Sequence, residues 1–207
     1  MDYIQITLPF AIALILTVII TPAFISFMKK RNSGQCIREE GPKSHMCKSG
    51  TPTMGGLALV LAVLVTCVAV SDLNTDMLIV LVAFMGYGLL GFLDDFVKVS
   101  MKRNLGLTAR QKLVFQTVIA VGLATYQAKV SVYGTTVMIP FTDTFIDLGV
   151  LYVPFIAFVV VAMANSVNLT DGLDGLAAGV TMFVALFLAL VGSAFNFSAA
   201  SVFCSSI

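Results

Sequence analysis

Charge is what this sequence has least of. Only 11% of its 207 residues are charged, against about 25% in a soluble globular domain. With 58% hydrophobic residues, that shortage excludes an ordinary water-soluble fold and points to a membrane protein. Histidine occurs once, and the four cysteines form no CxxC pair, which argues against a zinc site. Cys36, Cys47, Cys67 and Cys204 read as loop and packing residues. Net charge is +1, so no excess of positive charge draws a nucleic acid. No basic residue precedes the first apolar run, which follows Asp2 and ends in Lys-Lys-Arg. That run reads as a retained span and not as a signal peptide.

Long apolar stretches are abundant. A spanning helix needs about 20 mostly apolar residues, and six stretches reach or approach that length: about 4–28, 52–71, 77–99, 108–127, 150–168 and 173–195. The expectation is an all-α polytopic membrane protein, 1–207 forming a single integral membrane domain. Basic residues fall into two groups: Lys29, Lys30, Arg31, Arg38, Lys43 and Lys48, then Lys98, Lys102, Arg103, Arg110 and Lys112. Only Lys129 lies elsewhere. Alternating spans put both groups on one face, which the positive-inside rule makes cytoplasmic, with the N-terminus outside. The stretch 129–148, "KVSVYGTTVMIPFTDTFIDL", is rich in β-branched residues around Gly134 and Pro140. It reads either as an outer β-hairpin or as a loop apolar enough to touch headgroups.

Two patterns mislead. "GYGLLG" at 86–91 fits GxGxxG, but it lies inside a hydrophobic span. A dinucleotide fingerprint needs a strand before it; here the small residues suit close helix packing. The sequons at Asn168 and Asn196 are matches of pattern only.

The acids are more informative. Asp94 and Asp95 stand in "LLGFLDDFVKV", apolar on both sides. Helix neighbours point about 100° apart, so both cannot face lipid cheaply. Adjacent carboxylates also repel unless a cation or proton intervenes. A helix end in interfacial water is the plainer alternative. "NSVNLTDGLDGLA" at 165–177 places Asn165, Asn168, Asp171 and Asp174 at intervals of three. On one continuous helix that row would drift round the axis. Gly172 and Gly175 suggest that one span ends near 168–171 and the next begins at once, collecting four polar side chains at one mouth. Either aspartate could instead N-cap the following helix.

The third element is "KSGTPTMGG" at 48–56. A lysine, glycines and amides at a helix start suit a phosphate, although a proline-initiated helix needs no ligand. Together these features put carboxylates, carboxamides and cations on one face. Carboxylates with carbonyl-type oxygens suit Mg²⁺ held partly by substrate phosphates, so the implied reaction is phosphoryl transfer at a membrane surface. A transporter would place its ionisable groups near mid-membrane.

Three segments carry a family resemblance: "REEGPKSHMCKSGTPTMGG" (38–56), "GFLDDFVKV" with "KRNLGLTARQK" (91–112), and "NSVNLTDGLDGLA". They resemble the phospho-N-acetylmuramoyl-pentapeptide transferases, within the polyprenyl-phosphate N-acetylhexosamine-1-phosphate transferase superfamily. The resemblance runs in order over nearly the whole chain. It implies transfer of phospho-MurNAc-pentapeptide from UDP-MurNAc-pentapeptide to undecaprenyl phosphate, giving UMP and lipid I for peptidoglycan. It also implies Mg²⁺, ten spans in the bacterial inner membrane, a cytoplasmic cleft, an outer β-hairpin and a homodimer. Carried over by motif, Asp94 and Asp95 are catalytic, and Asn168 and Asp171 lie at the metal and nucleotide site. Asn165 and Asp174 stand beside them. Lys48 and Thr53 meet the nucleotide sugar, Lys98 and Lys112 serve phosphates, and His45 orders its loop.

There are departures. Typical members have four further spans, another aspartate in a "GD-x-GS"-like segment and a histidine-rich loop. The resemblance therefore implies that 1–207 is an N-terminal portion, with little or no transferase activity alone. A sister enzyme using another hexosamine phosphate is the alternative, and "GTPTMGG" argues against it.

Overall fold

A bilayer offers no hydrogen-bond partner to a backbone N–H or C=O, so long apolar runs resolve as helices. The computed structural model describes residues 4–30, 54–101, 106–131, 134–139, 142 and 144–207. Its helices are α1 (Ile4–Lys30), α2 (Gly56–Val70), α3 (Thr75–Ser100), α4 (Ala109–Val130), α5 (Tyr152–Thr170), α6 (Leu176–Ala194) and α7 (Ser198–Ser206). A two-stranded sheet, β1 (Thr136–Met138) with β2 (Phe145–Asp147), stands between α4 and α5. Among the described residues five helices are long and apolar enough to cross a membrane; α2, at 15 residues, is about 22 Å long and shorter than the hydrocarbon layer. This is a multi-pass membrane protein, built almost wholly of helix.

Helix ends follow local chemistry. Asn74 caps α3, its side chain accepting the Met77 N–H at 2.9 Å. Lys29 and Lys30 close α1, where cations complement the helix dipole. Thr117 and Thr125 return their hydroxyls to the carbonyls of Leu113 and Val121, which spares the membrane two bare donors.

The chain divides into two compact units, Met1–Thr108 with Ala178–Ile207, and Ala109–Ala177. In the first, Val63, Cys67, Met77, Leu81 and Val202 form the core. Phe84 meets Phe203 edge-on, with ring centroids 5.2 Å apart. The "GYGLLG" glycines lie within α3, and Gly88 faces Val60 of α2, so the segment packs helices and opens none.

Helix α7 was not foreseen. Its buried positions, Ser201, Val202, Ser205 and Ser206, form one helical face, and it packs on α1, α2 and α3. Small residues allow this approach: a Cβ on Gly192 of α6 would stand 2.9 Å from the Ser201 backbone nitrogen. The hydroxyls of Ser193 and Ser201 are buried with no hydrogen-bond partner, a cost of about 1–3 kcal/mol each that close packing must offset.

In the second unit, α4 and α5 run antiparallel and are joined through the hairpin. Its register pairs Thr136 with Asp147, Val137 with Ile146 and Met138 with Phe145. The Asp147 carboxylate accepts from the Thr135 hydroxyl and from the Gly149 N–H. Those two donors hold its pKa below the ordinary aspartate value, since both favour the charged form. A depressed folded-state pKa stabilises the turn above the unfolded value, about 3.9, and the contribution is lost as pH falls through the folded value. The Gly149 amide resonance is therefore expected to titrate with a midpoint below that of a free aspartate. A midpoint at or above it would reject the assignment.

Candidate active site

In the first unit the site is built on the last two turns of α3. Asp94 turns inward and is 5% exposed; Asp95 stays at the rim, its side chain 35% exposed. The repulsion expected between neighbouring carboxylates is met by a cation from the same helix. Lys98 Nζ lies 2.7 Å from Asp94 Oδ2 and 2.9 Å from Asp95 Oδ1. Acid before base at three and four residues is the favourable order on a helix. The other Asp94 oxygen accepts the Leu107 N–H at 2.9 Å, so each of its oxygens has a partner.

In the second unit, α4 begins where α5 ends, and that end of the helix pair carries Lys112, Gln116, Asn165, Asn168, Asp171 and Asp174. Asn165 spends both amide hydrogens within the protein: one goes to Gln116 Oε1 at 2.8 Å, the other to the Val161 carbonyl at 2.8 Å. Gln116 is 7% exposed. Asn168 and Asp171 follow at the last turn and C-cap of α5, and both are exposed. The reversal the glycines suggested is present: α5 stops at Thr170 and α6 starts at Leu176. Gly175 takes φ 79°, a left-handed conformation that glycine adopts without strain. Asp174 sits exposed in that turn.

The donor chemistry at the α5 end suits a hard divalent ion. One carboxylate and one carboxamide stand three residues apart at the negative end of a helix dipole, and Mg²⁺ takes one or two carboxylates with substrate phosphates. Among the described residues, no three His, Cys, Asp or Glu side chains cluster into a protein-only cage. His45, Lys48 and Thr53 lie outside the described residues.

Sequence reasoning missed two participants. Gln116 had a signal: it is a lone amide in the apolar run "LVFQTVIAV", and such residues face protein. The Leu107 N–H had none, because a backbone donor carries no mark in sequence.

Comparison with known proteins bears on the same residues. The sequence profile of glycosyl transferase family 4 matches 77–207, which includes both acidic elements. The chain belongs to glycosyl transferase family 4. Within the family it carries phospho-N-acetylmuramoyl-pentapeptide-transferase signature 1 at 48–60. Relatives of that name include a protein of Clostridioides difficile, 44% identical over 91% of this chain and 59% of its own length. Another, from Anoxybacillus flavithermus, is 53% identical over 81% of this chain and 53% of its own length. A third, from Alkaliphilus metalliredigens, is 49% identical over 100% of this chain and 66% of its own length. The chain thus spans about three-fifths of the length of the family relatives it matches.

Proposed function

We propose that the chain serves transfer of phospho-MurNAc-pentapeptide from UDP-MurNAc-pentapeptide to undecaprenyl phosphate, releasing UMP and forming lipid I. The observation that carries this is a carboxylate pair held on a lysine at the end of a membrane helix, in a chain bearing the signature at 48–60. Eleven of the twelve basic residues fall in two stretches of sequence, 29–48 and 98–112, between the first and second and the third and fourth spans. They support a cytoplasmic site in the cell membrane, with the N-terminus outside.

In this reading the lipid phosphate attacks the sugar-side phosphorus of the pyrophosphate, and the bond to the UMP phosphate breaks. Asp94 and Asp95 orient the attacking phosphate and take its proton if it carries one. Asn168 and Asp171 would hold Mg²⁺, which when bound neutralises pyrophosphate charge. Lys112 pairs with phosphate oxygens, Lys48 and Thr53 meet the nucleotide sugar, and Asp174 borders it.

The test is UMP release by the purified chain in lipid nanodiscs with Mg²⁺ and undecaprenyl phosphate. Release with UDP-MurNAc-pentapeptide but not UDP-N-acetylglucosamine supports the proposal; the reverse preference assigns a sister transferase. Retention of the labelled nucleotide without UMP release would give the chain a substrate-holding part only. Neither binding nor release would overturn the reading.

A further inference from the structure

Asp94 owes its setting to a residue that has no side chain. A Cβ placed on Gly106 would stand 2.6 Å from Asp94 Cγ and 2.7 Å from the Asp94 backbone oxygen, and closer still to Oδ1. The Asp94 side chain is 7% exposed and has Lys98 on one oxygen and the Leu107 N–H on the other. Leu107 stands thirteen positions after Asp94, so this contact ties the residues just before α4 back onto α3. We propose that Gly106 is a positioning residue: its bare backbone lets the Leu107 amide reach Asp94 and, with Lys98, fixes the direction of that carboxylate.

The physical logic is one of lone pairs. A carboxylate offers about four acceptor positions. Lys98 and Leu107 hold one on each oxygen, which fixes the rotamer. A side chain at 106 would displace the segment or the carboxylate, since neither backbone nor a clamped Asp94 can give way cheaply. The functional consequence rests on Asp94 belonging to the transferase site, and the experiment separates the two.

Gly106→Ala, Asp94→Ala and the double variant are made in the 207-residue chain and placed in nanodiscs. Gly122→Ala is the folding control, because a Cβ there meets nothing within 4 Å. Exchange of the Leu107 amide is expected to quicken about tenfold or more in both single variants, as a charged acceptor is lost. The unfolding midpoint of the double variant is expected near that of Asp94→Ala, because the two changes break one contact. In the UMP assay Gly106→Ala is expected to lower kcat by about a hundredfold with KM unaltered, the signature of misplacement. An unchanged Leu107 amide in Asp94→Ala, or fully additive midpoint losses, would overturn the proposal. So would full kcat in Gly106→Ala alongside an inactive Asp94→Ala. If the amide and the midpoints respond but the parent chain neither retains the nucleotide nor releases UMP, the clamp stands and the transferase reading fails.

Discussion

Lys98→Met is expected to destabilise the protein by about 2–4 kcal/mol, seen as a lower unfolding midpoint in nanodiscs. Methionine keeps the length and apolar stem of lysine, so the change isolates the charge. The wild-type cluster carries two carboxylates and one ammonium; the variant keeps two negative charges and no counter-ion. Asp94, at 5% exposure, then keeps the Leu107 N–H but loses its ammonium partner. Removing one partner of a buried pair costs about 3–5 kcal/mol. The lower range applies because Lys98 is 37% and Asp95 35% exposed, and water screens that half of the cluster. Adding Asp95→Asn to Lys98→Met removes the repulsion, so the double variant is expected to regain part of the midpoint. A double variant less stable than Lys98→Met would mean that lysine packing, not charge, carries the effect.

This cluster also shows how far a sequence can be read. The demand for a cation or a proton beside Asp94 and Asp95 follows from Coulomb repulsion, and the lysine that answers it lies three and four positions on. Five of the apolar runs were equally legible as long helices, because a run of apolar residues in lipid has one economical backbone form; the run at 52–71 forms a shorter helix. The turn at 171–175 was legible from its glycines. Helix α7 was not: "SAASVFCSS" is short and rich in small residues, and its helical face acquires meaning only against α1, α2 and α3. The hold of Leu107 on Asp94 was hidden for a different reason. It joins a side chain to a backbone donor thirteen residues away, and neither residue type hints at the other. Asn165 lies between these cases. Its polar character marked it for the site, yet its amide hydrogens are committed to Gln116 and Val161, so it serves the site by fixing the helix that carries Asn168 and Asp171.

That role makes Gln116→Leu the second large effect. Leucine is close to glutamine in volume and suits the surrounding run, so the substitution removes an acceptor without opening a cavity. A hydrogen bond between membrane helices averages about 0.6 kcal/mol and reaches about 1.7. Here the partner left behind is an amide hydrogen of Asn165 in a partly buried position, which adds about 1–3 kcal/mol of unmet desolvation. The expected loss is therefore about 2 kcal/mol for Gln116→Leu. Asn165→Leu is expected to cost a similar amount. The double variant, with both polar partners gone, should cost less than the sum, because neither end of this hydrogen bond is then left unmet. A second readout separates glue from site. If the α5 end holds its ligand only while the helix pair is latched, Gln116→Leu weakens nucleotide retention, although Gln116 itself is buried and accepts from Asn165. Additive losses in the double variant would remove the latch. A destabilised chain with unaltered nucleotide retention would keep the latch as a stability element and detach it from the α5 end.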